Sequence, residues 1–178
     1  AVRKSSTTNL LPYSEDFSQT LWGMSTQVSR TASTGLDPFG GTNAYIIENT
    51  GAGTQLGAYV TITNGLVYTV SFYARRITGT GNIKIRNVNN AATTIILTNE
   101  WQRFSETVTS NSTTGRAYFN IDTTGDKVEI FGAQLEEQTQ AETYAKTTGL
   151  PVTIDLFTEN NYGTMTNMSA SDIVEDTP

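Results

Sequence analysis

The chain has 178 residues, 37% of them hydrophobic and 16% charged, enough for one sizeable core and one main domain. A net charge of −6 and a pI near 4.6 oppose contact with nucleic-acid phosphates or anionic lipid. Cysteine and histidine are both absent, which excludes a disulfide framework, thiolate chemistry, the commonest general base and most zinc or iron sites, and leaves carboxylates, lysine and tyrosine for any catalysis.

Residues 1–8 are small and polar and read as an N-terminal arm or linker. In "NLLPYSEDF", Leu10, Leu11, Tyr13 and Phe17 are too irregularly spaced for a helix and too apolar for a free loop, so the segment is expected across a core edge. "TNAYIIEN" and "QLGAYVTI" follow as strands, the second with Leu56, Ala58, Val60 and Ile62 inward and Tyr59 outward. "LVYTVSFYARR" carries the strongest period of two: Leu66, Tyr68, Val70, Phe72 and Ala74 are assigned to the core, Tyr73 and Arg75 to the opposite face. "GNIKIRNV", "TTIIL", "WQRFSETVT", "RAYFNID" and "DKVEIFGAQLE" continue the series, with Ala117, Phe119 and Ile121 inward and Tyr118, Asn120 and Asp122 outward. In the last strand Val128, Ile130 and Gly132 fall on one face and Glu129, Phe131 and Ala133 on the other. The separators are rich in Asn, Gly, Thr and Ser, which suit tight turns.

From Gly149 the chain reads as an extended tail in which Val152, Ile154, Leu156 and Phe157 pair or dock before alternation is lost. About eight or nine short strands without helical periods between them indicate an all-β, antiparallel sandwich or jelly roll over residues 9–148, flanked by the arm (1–8) and the tail (149–178). No stretch approaches the roughly 18 apolar residues of a membrane span.

Glu136 and Glu137 are sequence neighbours, which a strand turns to opposite faces, so they are read as solvated strand-end acids and no catalytic dyad is assigned. "TGTGNIK" lacks the strand, turn and helix order of a phosphate loop and is read as a hairpin turn. "TTGDK" and "YSEDF" gather oxygen donors of the kind calcium takes, with a plain turn as the simpler reading. The outward aromatics are the remaining candidates, because flat sugar faces stack on exposed tyrosine. If their strands share one sheet, Tyr59, Tyr73 and Tyr118 form a platform edged by Arg75, Asn120 and Asp122.

"NLLPYSEDFSQTLW", "VYTVSFYAR", "WQRFSETVT" and "VEIFGAQLEE", in this order, resemble the carbohydrate-binding-module-like jelly-roll domains that recur in structural proteins of tailed bacteriophages. The resemblance covers about Asn9 to Thr148, and its most specific pieces are the opening Asn-Leu-Leu with Tyr-Ser-Glu-Asp-Phe and the closing Gly-Ala-Gln-Leu-Glu-Glu. It implies a noncatalytic sandwich on the surface of a virion, as a capsid decoration, head fibre or tail appendage, partnered by other virion proteins, by copies of itself and by cell-surface glycans. No cofactor is expected beyond a structural calcium ion, and the final strand has Phe131-Gly132-Ala133 where related modules often carry adjacent aspartates. The alternatives are a receptor-recognition module of a tail fibre and a glycoside hydrolase or depolymerase.

Overall fold

The longest strand, Val67–Thr78, shows how the core is laid down: Tyr68, Val70, Phe72 and Ala74 are almost wholly buried on one side. Leu66, expected with them, precedes the strand and is 38% exposed, because the pleat that would turn it inward begins one residue later. The computed structural model describes residues 4–51, 54–88 and 92–157. The tail expected beyond Phe157 lies outside the described residues, as do residues 52–53 and 89–91.

The described strands are β1 (Lys4–Asn9), β2 (Gly23–Met24), β3 (Val28–Ala32), β4 (Tyr45–Asn49), β5 (Thr54–Thr61), β6 (Val67–Thr78), β7 (Ile83–Arg86), β8 (Ala92–Ile95), β9 (Gln102–Thr109), β10 (Thr114–Ile121), β11 (Lys127–Glu136) and β12 (Val152–Phe157). Two five-stranded sheets form the sandwich: a front sheet in the order β2-β5-β10-β7-β8 and a back sheet in the order β3-β4-β11-β6-β9. Every pairing is antiparallel. Among the described residues no helix is long and apolar enough to cross a membrane.

The core lies between the sheets. Leu56 and Ala58 of β5, Ile83 and Ile85 of β7 and Ala117, Phe119 and Ile121 of β10 face Ile47 of β4, Val70 and Phe72 of β6 and Val128 and Ile130 of β11. Phe72 meets Phe119 edge to face across the two sheets, ring centroids 5.8 Å apart. The opening segment closes one margin of this core, with Leu11 and Phe17 fully buried and Trp22 packed 4.7 Å from Phe17.

Strand β11 departs from simple alternation. Gly132 sits at φ +60°, the pairing with β6 shifts register between Phe131 and Gln134, and the extra residue turns Ala133 and Leu135 into the core. The expected grouping of Gly132 with Val128 and Ile130, and of Ala133 with Glu129 and Phe131, therefore fails from this point: Ala133 joins Val128 and Ile130 in the core. Glu129, Phe131, Gln134 and Glu136 face the other way, outward from the back sheet, yet all are buried, because more chain lies over them.

That covering begins with the ends of the described chain. β1 runs antiparallel to β12 from Lys4↔Phe157 to Asn9↔Val152, so the segments read as arm and tail form a two-stranded ribbon. The ribbon enters the sandwich at Asn9, which is wholly buried. The Asn9 amide donates to the Ala133 and Ala145 carbonyls (3.0 and 2.9 Å), and its Oδ1 accepts from the Leu11 and Leu135 amides (3.1 and 3.2 Å). Gln134 holds the returning segment from the other side, accepting from the Ala145 amide at 2.8 Å and donating to the Thr143 carbonyl at 3.3 Å.

Candidate functional site

The two sheets differ in what lies over their outer faces. On the back sheet, Phe39, Tyr73, Phe131 and Tyr144 pack as a second aromatic layer: Tyr144 lies 5.8 Å from Phe131 and 6.1 Å from Tyr73, and Phe39 lies 5.6 Å from Tyr73. Burial pushes the Tyr144 hydroxyl far above its ordinary pKa. Beside this layer Arg75 and Ser33 donate to the buried Glu129, and Arg75 stacks over Trp101 at 4.8 Å. Glu136, read as a solvated acid, is fully buried, accepting from the Thr7 hydroxyl and from the Glu142 amide at 3.0 Å. Glu137 alone of the pair is exposed.

The front sheet has an open outer face. Antiparallel partners share a face, so the register sets Tyr118 between Gly57 and Arg86, Tyr59 beside Arg116, and Asn120 between Gln55 and Lys84. Gly57 determines the shape of this surface: a Cβ there would stand 1.6 Å from Cδ1 of Tyr118, so only glycine lets the tyrosine ring lie down across β5. Tyr118 is consequently 5% exposed, and burial, reinforced by its hydrogen bond with Tyr59, raises its hydroxyl pKa well above the ordinary value. Tyr59 stands edge-on to it, centroids 5.2 Å apart, with 51% of its surface exposed. A shallow depression of about 410 Å³ runs from Tyr59 and Tyr118 past Gln55 to Met24, Leu21 and Thr20.

The six residues expected to form one platform are thus divided. Tyr59, Tyr118 and Asn120 belong to the front sheet, with Asp122 just past the end of β10, whereas Tyr73 and Arg75 lie on β6 in the back sheet, Tyr73 within the second aromatic layer and Arg75 beside it. The condition of a shared sheet is not met, since alternation gives the face of a residue within its own strand and not the sheet that strand joins. Within the front group Tyr59 supplies the open ring, Tyr118 its backing, and Asp122 is tied to Lys84. Arg116, Gln55, Lys84 and Arg86 complete the face and were passed over. Arg116 was legible, standing two residues before Tyr118 on the same side of β10.

A larger cleft, of about 460 Å³, opens at the loop end among Tyr13, Asp16, Asn43, Tyr45 and Lys146. Its charged groups are already engaged: Asp16 accepts from Ser18, Gln19 and Tyr45, while Glu15 accepts from Tyr144 and Lys146. Asp126 of "TTGDK" is likewise held by Arg76 and by the Gly81 amide, at 2.9 and 2.8 Å. Among the described residues no group of three or more Asp and Glu side chains gathers in the arrangement that would hold a metal ion.

No family model matches the chain, nor does any curated protein sequence. Solved structures do. The CBM22-1 xylan-binding domain of Paenibacillus barcinonensis Xyn10C superimposes with a TM-score of 0.52 at 13% identity, covering 76% of this chain and 94% of that one. The C-terminal family 22 carbohydrate binding module of Clostridium thermocellum Xyn10B gives 0.52 at 17% identity, over 75% and 96%. The enzymatically active domain of tailspike protein 4 from bacteriophage CBA120 gives 0.50 at 13% identity, over 72% of this chain and 21% of that one. At such identities the likeness is one of fold: the chain is an antiparallel two-sheet sandwich of the kind seen in carbohydrate-binding-module jelly rolls.

Proposed function

We propose that this protein is a noncatalytic glycan-binding module that uses the open face of its front sheet. The observation that carries the reading is Tyr59, a half-exposed ring held edge-on against the buried Tyr118 beside a shallow depression lined by Gln55, Met24 and Thr20. Such a ring offers an apolar surface for the flat side of a sugar, and polar neighbours fix its orientation. The likeness in fold to xylan-binding and other carbohydrate-binding modules supports this choice. Hydrolysis is not supported by the face: among the described residues it carries one carboxylate, Asp122 just past the end of β10, paired with Lys84, where glycoside hydrolysis uses two acids flanking one bond.

Affinity electrophoresis through gels containing a panel of polysaccharides tests the reading. At least one polymer should retard the wild type, and Tyr59→Ala should weaken retardation about tenfold or more. Tyr73→Phe, on the covered side, should leave it unchanged, and no reducing ends should appear in any polymer. Retardation unaffected by Tyr59→Ala would remove this face, and release of reducing sugar would remove the noncatalytic assignment.

The setting we propose is the surface of a bacteriophage virion, with other virion proteins and further copies of the chain as partners, no resident cofactor, and glycan contact through repeated weak sites. The order of its segments and the likeness in fold to part of a phage tailspike support it. Peptides of the chain in gradient-purified particles, at the abundance of a structural component, are the expected finding. Their confinement to unassembled lysate would exclude this setting without touching the glycan reading.

A further inference from the structure

The charge of the front face runs against that of the molecule. The chain as a whole has 11 Lys and Arg against 17 Asp and Glu, a balance of −6. The described residues on the outer face of β5, β10, β7 and β8 include Lys84, Arg86 and Arg116 but one acid, Asp122 just past the end of β10, which pairs with Lys84. Among the described residues the depression is lined by no charged side chain of either sign, so the cations stand on the face beside it, Arg116 next to Tyr59. Arg116 stands across the register from Tyr59, its guanidinium carbon 5.7 Å from the ring centroid. Its Nε is shielded from solvent and has no hydrogen-bond partner among the described residues. Neutral sugar hydroxyls do not call for a guanidinium beside the stacking ring. Carboxylate and sulfate do, since the planar fork meets their paired oxygens with two charge-assisted hydrogen bonds.

Resting on the glycan reading above, we infer that the ligand is an acidic sugar, carrying a carboxylate or a sulfate, stacked on Tyr59 with its anionic group on Arg116. The overall charge makes this reading discriminating. An acidic protein repels a polyanion at long range, so retention of one has to come from a local cationic site.

The test uses the full chain in affinity gels containing polygalacturonate, dextran sulfate, neutral xylan or neutral β-glucan. At least one acidic polymer should bind roughly tenfold tighter than either neutral one, and the advantage should shrink as NaCl is raised. Polygalacturonate against dextran sulfate separates carboxylate from sulfate. Arg116→Gln should abolish the preference, Arg116→Lys should restore part of it, and Lys127→Gln, on the back sheet, should leave it intact. Equal binding of neutral and acidic polymers, indifferent to Arg116→Gln, would overturn the acidic class while leaving glycan binding in place. Failure of all four polymers to retard the protein would overturn the glycan reading itself.

Discussion

Asn9 gives a physical meaning to the first residue of "NLLPYSEDF". Its carboxamide ties four backbone groups from three segments with no access to solvent. Removing it strands donors and acceptors that water cannot reach, so Asn9→Ala should lower unfolding free energy by about 3–5 kcal/mol in urea titrations. Asp16 is a milder case, on the loop that borders the larger cleft. Hydrogen bonds from the Gln19 and Ser18 side chains hold its carboxyl at about 2, below the ordinary 3.8. A depressed carboxyl stabilises the fold in its ionised form, fully above about pH 4, and the contribution is lost as pH falls toward 2. Asp16→Asn should therefore lower the melting temperature at pH 7, and the difference from wild type should close near pH 2. Tyr118 shows where reading by residue stops. Its outward direction follows from alternation along "RAYFNID", but its burial depends on Gly57, on a strand far away in the sequence.

Among the elements, the strands with strong alternation, such as β5, β6 and β10, were legible because a half-buried strand must alternate. β1 was not: "KSSTTN" has no apolar face to declare it, and its reason for being extended is a partner more than a hundred residues away. β11 was legible as a strand and misread in its second half, since one bulge reverses every side chain beyond it. The bulge rests on Gly132, whose positive φ coincides with neighbours already close: a Cβ would lie 3.1 Å from the Tyr73 ring and 3.3 Å from that of Tyr144. Gly132→Ala should cost about 1–2 kcal/mol from backbone strain. Near-ultraviolet circular dichroism should change with it, because the aromatic layer over the back sheet must shift to admit the methyl group.

At the scale of the molecule, the sandwich could be expected from turn spacing and alternation, whereas the division of strands between sheets could not. That division decided the site. Tyr73 and Tyr118 are both outward residues of alternating strands, but β6 and β10 belong to opposite sheets, so their tyrosines look away from each other. The covering of one face by the Phe39 loop, the segment carrying Tyr144 and the ribbon is equally invisible to local pattern, and it leaves the other face available. The ribbon has a mechanical consequence as well. Lys4 and Phe157 are paired neighbours, so tension applied to that end of the two strands opens their rungs in turn, as a zip opens, instead of shearing all of them together. The force needed is that of one rung at a time until the opening reaches Asn9. There the load meets four bonds anchored in the sandwich at once, so the ribbon would extend and absorb strain while the front sheet behind it kept its shape.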